Sequence, residues 1–301
     1  MWSVRATARR TIVERLMYGV LAVAASVSVL TTIGIVGVLL FETIDFFREV
    51  PIIDYLVGRE WAPLFEPQRF GILPLVGGTL LVAGIAMAIA APLGVIVAIY
   101  LSEYAGRRTK SILKPLLEIL AGIPTVVYGY FALTFITPNL VQRLLPDANV
   151  FNGAAAGIVV GIMILPLVAS VSEDAMAAVP GSLREAAYAL GSTKLETALR
   201  VIAPAALSGI VASFILAGSR AVGETMAVAI AAGSTPVLTA DPTVSIQTMT
   251  GYIVQVSLGD TEQGSIEFKT IFAVGSTLLL MTLALNIVSQ AIARRYRNVY
   301  Q

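Results

Sequence analysis

The chain has 301 residues, of which 57% are hydrophobic and only 13% charged. A soluble domain carries about a quarter charged residues, so an ordinary soluble protein is excluded. Histidine and cysteine are both absent, which removes disulfides, thiol chemistry and the commonest general base. A net charge of +1 says nothing about nucleic acid.

In chain order, six runs lack Asp, Glu, Lys and Arg: Leu16–Phe41, Gly71–Ser102, Ile119–Gln142, Ala148–Ser172, Val201–Ser219 and Thr270–Ala293. Each reaches or approaches the roughly 20 residues of a spanning helix. The reading is an all-α membrane protein with six transmembrane helices. The first run follows a basic leader but spans 26 residues, longer than a signal-peptide core of about 7–15, and is read as a retained span. The second run, with 32 residues, exceeds a perpendicular crossing and implies tilt or an interfacial part. Gly77, Gly78, Gly84, Pro92, Pro124 and Pro166 predict bent, closely packed helices.

Residues 42–70 mix Phe46, Phe47, Tyr55, Trp61 and Phe65 with six acidic residues. They are expected to hug the membrane edge, with the aromatic residues as an interfacial belt. Of the 20 Lys and Arg, fourteen fall in segments that share a side with the N-terminus and five on the other side, with Arg220 in the membrane. The positive-inside rule then places both termini and the 173–203 loop in the cytoplasm. Glu173-Asp174 is expected to be a solvated helix boundary. In the long outer segment 233–267, Ile246–Val256 is expected to form a short helix or re-entrant piece.

The loop PGSLREAAYALGSTKLETALRVIAPAA, Pro180 to Ala206, reads as two short helices joined at one glycine. Ser182 to Glu185 and Thr193 to Glu196 each fit the S/T-x-x-E capping box. Gly191 stands where a positive φ would end the first helix, and Pro204 near the start of the next apolar run. Leu183, Ala186, Ala187 and Leu190 have helical spacing and form one face, suited to lipid headgroups or to a protein groove.

Catalysis has few candidates. None of the four lysines follows a glycine, so no P-loop exists and the chain has no ATP site of that kind. No carboxylate cluster suggests a metal, and no cofactor is expected. Arg220 and Glu224, four residues apart, would share a helix face and pair. Arg220 lies about 24 Å along a helix counted from Pro204, deep in the hydrocarbon. Ionisable groups there either mark a solute path or form a buried pair that fixes packing. A guanidinium suits an oxyanion such as phosphate. Gly218, Gly223 and Thr225 would allow close helix approach.

Glu185-Ala186-Ala187, Gly191, Ile202 and Pro204 resemble the EAA loop of ABC-importer permeases. Ile123-Pro124-Thr125-Val126-Val127-Tyr128-Gly129, Met163-Ile164-Leu165-Pro166, Val179 to Glu185 and Ser219 to Val228 resemble the C-type permease subunit of phosphate-specific (Pst) importers. The resemblance covers roughly residues 70 to 293. It implies a type I permease fold, with 1–70 as N-terminus, first helix and outer segment, a 71–293 core carrying coupling helices at 180–203, and a basic tail at 294–301. It implies ATPase coupling through Arg184, Glu185, Ala186, Ala187, Gly191 and Ser192, and phosphate passage by Arg220, Glu224 and Thr225. The implied partners are a related A-type permease subunit, two ATP-binding subunits, an extracytoplasmic phosphate-binding protein and the lipid of a bacterial inner membrane. Three alternatives stay open on the residues alone: a permease for another oxyanion, an ion-coupled secondary carrier, and a non-transporting membrane scaffold.

Overall fold

A computed structural model describes residues 2–296, with side chains described for 14–291. The basic leader Arg5, Arg9 and Arg10 and the tail 294–301 lie outside the described side chains. The elements are α1 (Trp2–Glu49), α2 (Ile52–Val57), a hairpin of β1 (Trp61–Ala62) and β2 (Arg69–Phe70), and α3 (Leu73–Ile99) running into a π-helical stretch Tyr100–Tyr104. Then come α4 (Arg107–Gly122), α5 (Thr125–Phe131) with π-helical turns Ala132–Val141, α6 (Gln142–Leu144) and α7 (Gly153–Ala177). The elbow holds α8 (Gly181–Ala189), α9 (Lys194–Thr197), a π-helical stretch Ala198–Ile202 and α10 (Ala203–Ala205). The chain closes with α11 (Leu207–Val222), α12 (Met226–Ala231), α13 (Met249–Leu258) and α14 (Ile266–Tyr296).

Four helical stretches are long and apolar enough to cross a bilayer: Glu14–Glu49, Leu73–Tyr104, Gly153–Ala177 and Ile266–Ala291. Two bent pairs, Arg107–Gly122 with Thr125–Leu144 at 86° and Lys194–Ala205 with Leu207–Val222 at 72°, bring the crossings to six when each pair counts as one. The second run forms one continuous helical stretch, Leu73–Tyr104.

The bends interrupt two of the apolar runs, at Pro124, as that proline predicts, and at Ala206. The run starting at Ile119 is not one rod. Proline disfavours the helical region for the residue before it, and Ile123 is extended (ψ 131°) ahead of Pro124. Arg107–Gly122 consequently forms its own amphipathic helix, and the Tyr128 hydroxyl donates to the Leu120 carbonyl across the break (2.7 Å). Pro204 sits in the first turn of α10, near the start of the apolar run as expected; the chain turns at Ala206 and α11 begins at Leu207.

The centre of the bundle is the packing of α3 on α7. Gly153, Gly157 and Gly161 recur every four residues along one face of α7. A Cβ on Gly157 would lie 2.6 Å from Ile85 Cβ, and one on Gly161 would lie 3.0 Å from the Ala86 carbonyl oxygen. Facing them are the small buried residues Ala83, Ala86 and Ala90. In lipid, where no hydrophobic drive brings helices together, such close backbone approach supplies the packing energy.

Residues 42–70 depart from the expected belt. Phe46, Tyr55 and Trp61 are buried in the protein. They meet edge-to-face, with Trp61 and Tyr252 centroids 4.9 Å apart and Phe46 and Tyr55 5.7 Å apart. Tyr55 and Tyr252 bond their hydroxyls to Thr277 (2.8 Å) and Thr270 (2.6 Å). Burial pushes both phenols well above the ordinary tyrosine range, so they serve as neutral hydrogen-bonding groups. Ile53 and Phe65 stay exposed. The segment after α12 packs back onto the protein: Asn149 and Ala154 amides donate to the Thr243 and Pro242 carbonyls (2.9 and 2.7 Å), and Ile246 is fully buried. The expected short helix is α13, with Thr248 as its N-cap.

Candidate functional site

Two places carry the candidate residues. The first is the break between α11 and α12. Arg220 is in the last turn of α11, whose C-cap is Gly223; Glu224 and Thr225 follow the helix end. The expected shared face and ion pair do not form. The Gly223 amide closes on the Ser219 and Ala221 carbonyls, and Glu224 turns forward to cap α12. Its Oε1 accepts from the Ala227 amide at 3.2 Å, while its backbone carbonyl accepts from Thr250 Oγ1 at 2.7 Å. Burying a carboxylate is costly; the free amides and dipole at the start of α12 offset part of that cost. Thr225 is half-buried and donates its hydroxyl to the Gly223 carbonyl (3.1 Å).

Arg220 is exposed. Among the described residues no carboxylate lies within ion-pair distance of it. It lines a cavity of about 190 Å³ between α4, α7 and the end of α3. Leu101, Leu117, Met163, Pro166 and Leu167 form apolar walls; Lys114, Glu118 and Ser170 add polar groups. Lys114 is already neutralised by Glu173 and by Asp174 (3.2 Å). Counted from Leu207, Arg220 lies about 20 Å along α11.

Sequence reasoning passed over Lys114, Glu118, Ser170 and Asn286. Asn286 on α14 accepts from Ser219 Oγ at 3.0 Å, and an amide inside an apolar run was the available signal. Lys114 and Glu118 are four apart on an amphipathic helix, which marks one face. The expected solvated boundary at Glu173-Asp174 is half right. Asp174 is exposed, but Glu173 is 2% exposed and tied to Lys110 (3.3 Å) and Lys114.

The second place is the elbow. Thr193 and Glu196 make the expected capping box, each side chain bonding the other's backbone amide. Ser182 makes none. Helix α8 starts at Gly181 behind Pro180, so Ser182 is inside the first turn and the N-cap has no side-chain acceptor. Gly191 has φ +83°. The Ser192 amide reaches the Ala187 carbonyl (3.1 Å) and the Gly191 amide the Tyr188 carbonyl (3.0 Å), the paired bonds of a Schellman motif.

The face proposed for α8 divides. Leu183 packs on a cluster containing Met176, Val179 and Ile202, and Ala187 is buried. Glu185, Ala186 and Gly191 are exposed, Ser192 is half-buried, and Leu190 is 88% exposed. Arg184 turns inward to Glu103 (2.9 Å) and to the Met176 and Val179 carbonyls (2.7 Å each). Removing one partner of so buried a pair costs about 3–5 kcal/mol.

The fold has solved counterparts. A bacterial alginate ABC transporter in complex with its pentasaccharide-bound periplasmic protein contains a chain 16% identical, with TM-score 0.58 over 89% of this chain and 96% of that one. An inward-facing MetNI methionine ABC transporter contains one 18% identical, with TM-score 0.56 over 76% and 95%. The fold is thus all-α and like that of type I ABC-importer permeases. The family model for the inner membrane component of binding-protein-dependent transport systems matches residues 90–298, and the chain belongs to that family. Relatives include the probable ABC transporter permease protein YqgH of Bacillus subtilis, 37% identical over 86% of this chain and 82% of its own. The phosphate transport system permease protein PstC of Mesorhizobium japonicum is 34% identical over 76% of this chain and 75% of its own.

The chain is therefore a multi-pass inner membrane permease component. It works in a system with separate ATPase subunits, where ATP hydrolysis resides, and a periplasmic binding protein.

Proposed function

We propose that the chain is the C-type permease subunit of an ATP-driven phosphate importer. In this reading it pairs with a related A-type permease subunit and two ATP-binding subunits, and an extracytoplasmic phosphate-binding protein delivers the solute. The observation that carries the reading is Arg220: a guanidinium at a helix break, facing a cavity, with no carboxylate pairing it among the described residues. A planar fork of donors suits a tetrahedral oxyanion, and several relatives of moderate identity are named as phosphate permeases. Glu224 and Thr225 border the same break. Glu224 holds the unwound turn, so an arriving anion meets Arg220 without a competing pair.

The excess of Lys and Arg beside α4 and the elbow supports cytoplasmic termini and a cytoplasmic elbow. Residues 71–293 act as the core. Glu185, Ala186, Gly191 and Ser192 present the exposed side of the elbow to the ATPase, while Ala187 and Arg184 hold it to the core. ATP-driven closure of the ATPase subunits then moves the elbow and opens the path near Arg220 to each side in turn. The test is uptake of labelled phosphate by the reconstituted complete complex. ATP-dependent uptake that sulfate and molybdate fail to inhibit is expected. Preference for another oxyanion, or uptake by this chain alone under an ion gradient without ATP, would overturn the reading.

A further inference from the structure

Both halves of the elbow grip the same short stretch of chain. Glu103 and Tyr104 belong to the π-helical stretch Tyr100–Tyr104 that ends α3. Arg184 of α8 takes Glu103 from two sides: Nε lies 3.2 and 3.3 Å from the two carboxylate oxygens, and Nη2 lies 2.9 Å from Oε1. Its other donor bonds run to the Met176 and Val179 carbonyls at the end of α7. Lys194 of α9 stands over the Tyr104 ring, 5.0 Å from its centroid, a cation–π contact. Glu103 is 5% exposed and Arg184 is 20% exposed, so neither is displayed to a partner.

The apolar contacts nearby, Ala98 of α3 with Met176, Val179 and Ile202, are non-directional. A forked guanidinium on a carboxylate holds both distance and orientation. From this clamp the helix Leu73–Tyr104 runs for 32 residues, about 48 Å at 1.5 Å per residue. It packs on the glycine ridge of α7 and, near its far end, accepts the Met249 amide of α13 on Thr79 Oγ1 at 3.0 Å. The segment that precedes Met249 is thus tied to the same helix.

We propose that Arg184–Glu103, seconded by Lys194 on Tyr104, is the linkage through which movement of the elbow is imposed on α3, making α3 a continuous lever across the membrane. Arg184 and Glu103 are positioning residues: they touch neither solute nor ATPase. The inference rests on the elbow as the ATPase-docking element and is independent of the solute.

The chain has no cysteine, so Ser182→Cys on α8 and Leu80→Cys on α3 can be spin-labelled cleanly in the complete complex. In the otherwise wild-type complex, the distance between the labels is expected to stay the same without nucleotide and after trapping with ATP and vanadate. With Arg184→Gln it is expected to shift or split on trapping, ATP hydrolysis continues, and solute moved per ATP falls about ten-fold. If Arg184→Gln does not assemble, Arg184→Lys carries the test with the same expected shift, because one ammonium cannot replace the fork. A distance that ignores nucleotide in the assembled variant, with unchanged solute per ATP, overturns the linkage. Failure of the wild-type chain to retain ATPase subunits overturns the docking role instead, and failure to move phosphate while the distances behave as expected overturns only the solute assignment.

Discussion

Arg184 and Arg220 are the same side chain in opposite states. Arg184 spends its donors on one carboxylate and two carbonyls. Arg220 stands at a helix end facing a cavity, with no such partner among the described residues. A saturated guanidinium fixes elements to one another; an unsaturated one is available to something that arrives. The comparison also separates the two regions by task. The elbow is closed by caps, an ion pair and a cation–π contact, whereas the α11–α12 break keeps an open cation beside Gly223, Glu224 and Thr225, which lie between the two helices.

The contrast can be broken first by stability. Arg184→Ala strands the buried Glu103 carboxylate and is expected to cost about 3–5 kcal/mol. Arg220→Ala should stay within about 0.5 kcal/mol of wild type, since it removes no paired charge. Thermal melting of the purified complex checks both, and equal losses would erase the distinction between the arginines. A smaller effect is expected at the hinge. Gly191→Val forces a β-branched residue into φ +83° at about 1–3 kcal/mol. Space is not the obstacle, since an added Cβ would meet nothing within 4 Å. The expected outcome is weakened retention of the ATPase on co-purification; full retention with full transport would count against the elbow's role. The smallest contrast lies within the elbow. Thr193→Ala removes a formed cap and should cost about 1 kcal/mol, while Ser182→Ala, which removes no cap, should be nearly silent. Amide exchange in α8 and α9 reads the difference, and equal effects would mean that Ser182 caps in solution.

These residues also show what was legible in the sequence. Thr193, Glu196 and Gly191 act through bonds to their immediate neighbours, so their spacing sufficed. Ser182 has the same spacing as Thr193, but Pro180 with its pre-set φ starts the helix earlier and moves Ser182 off the cap. The apolar runs located the crossings and Pro124 marked one bend, while the turn at Ala206 depends on backbone choices that hydropathy does not record. Arg220 and Glu224 were found by their charge. Their relation was misread because the break at Gly223 is stabilised from afar, by Thr250 holding the Glu224 carbonyl. The same distance dependence hid the aromatic cluster, where Trp61 meets Tyr252, and the pairing of Glu103 with Arg184, 81 residues apart.

The most direct test of the open arginine is the initial rate of ATP-driven phosphate uptake by the reconstituted complete complex carrying Arg220→Ala, with ATPase content matched to wild type. Two lost charge-assisted hydrogen bonds at about 1.5 kcal/mol each predict a fall of about 100-fold, with assembly intact. An uptake rate equal to wild type would contradict the account.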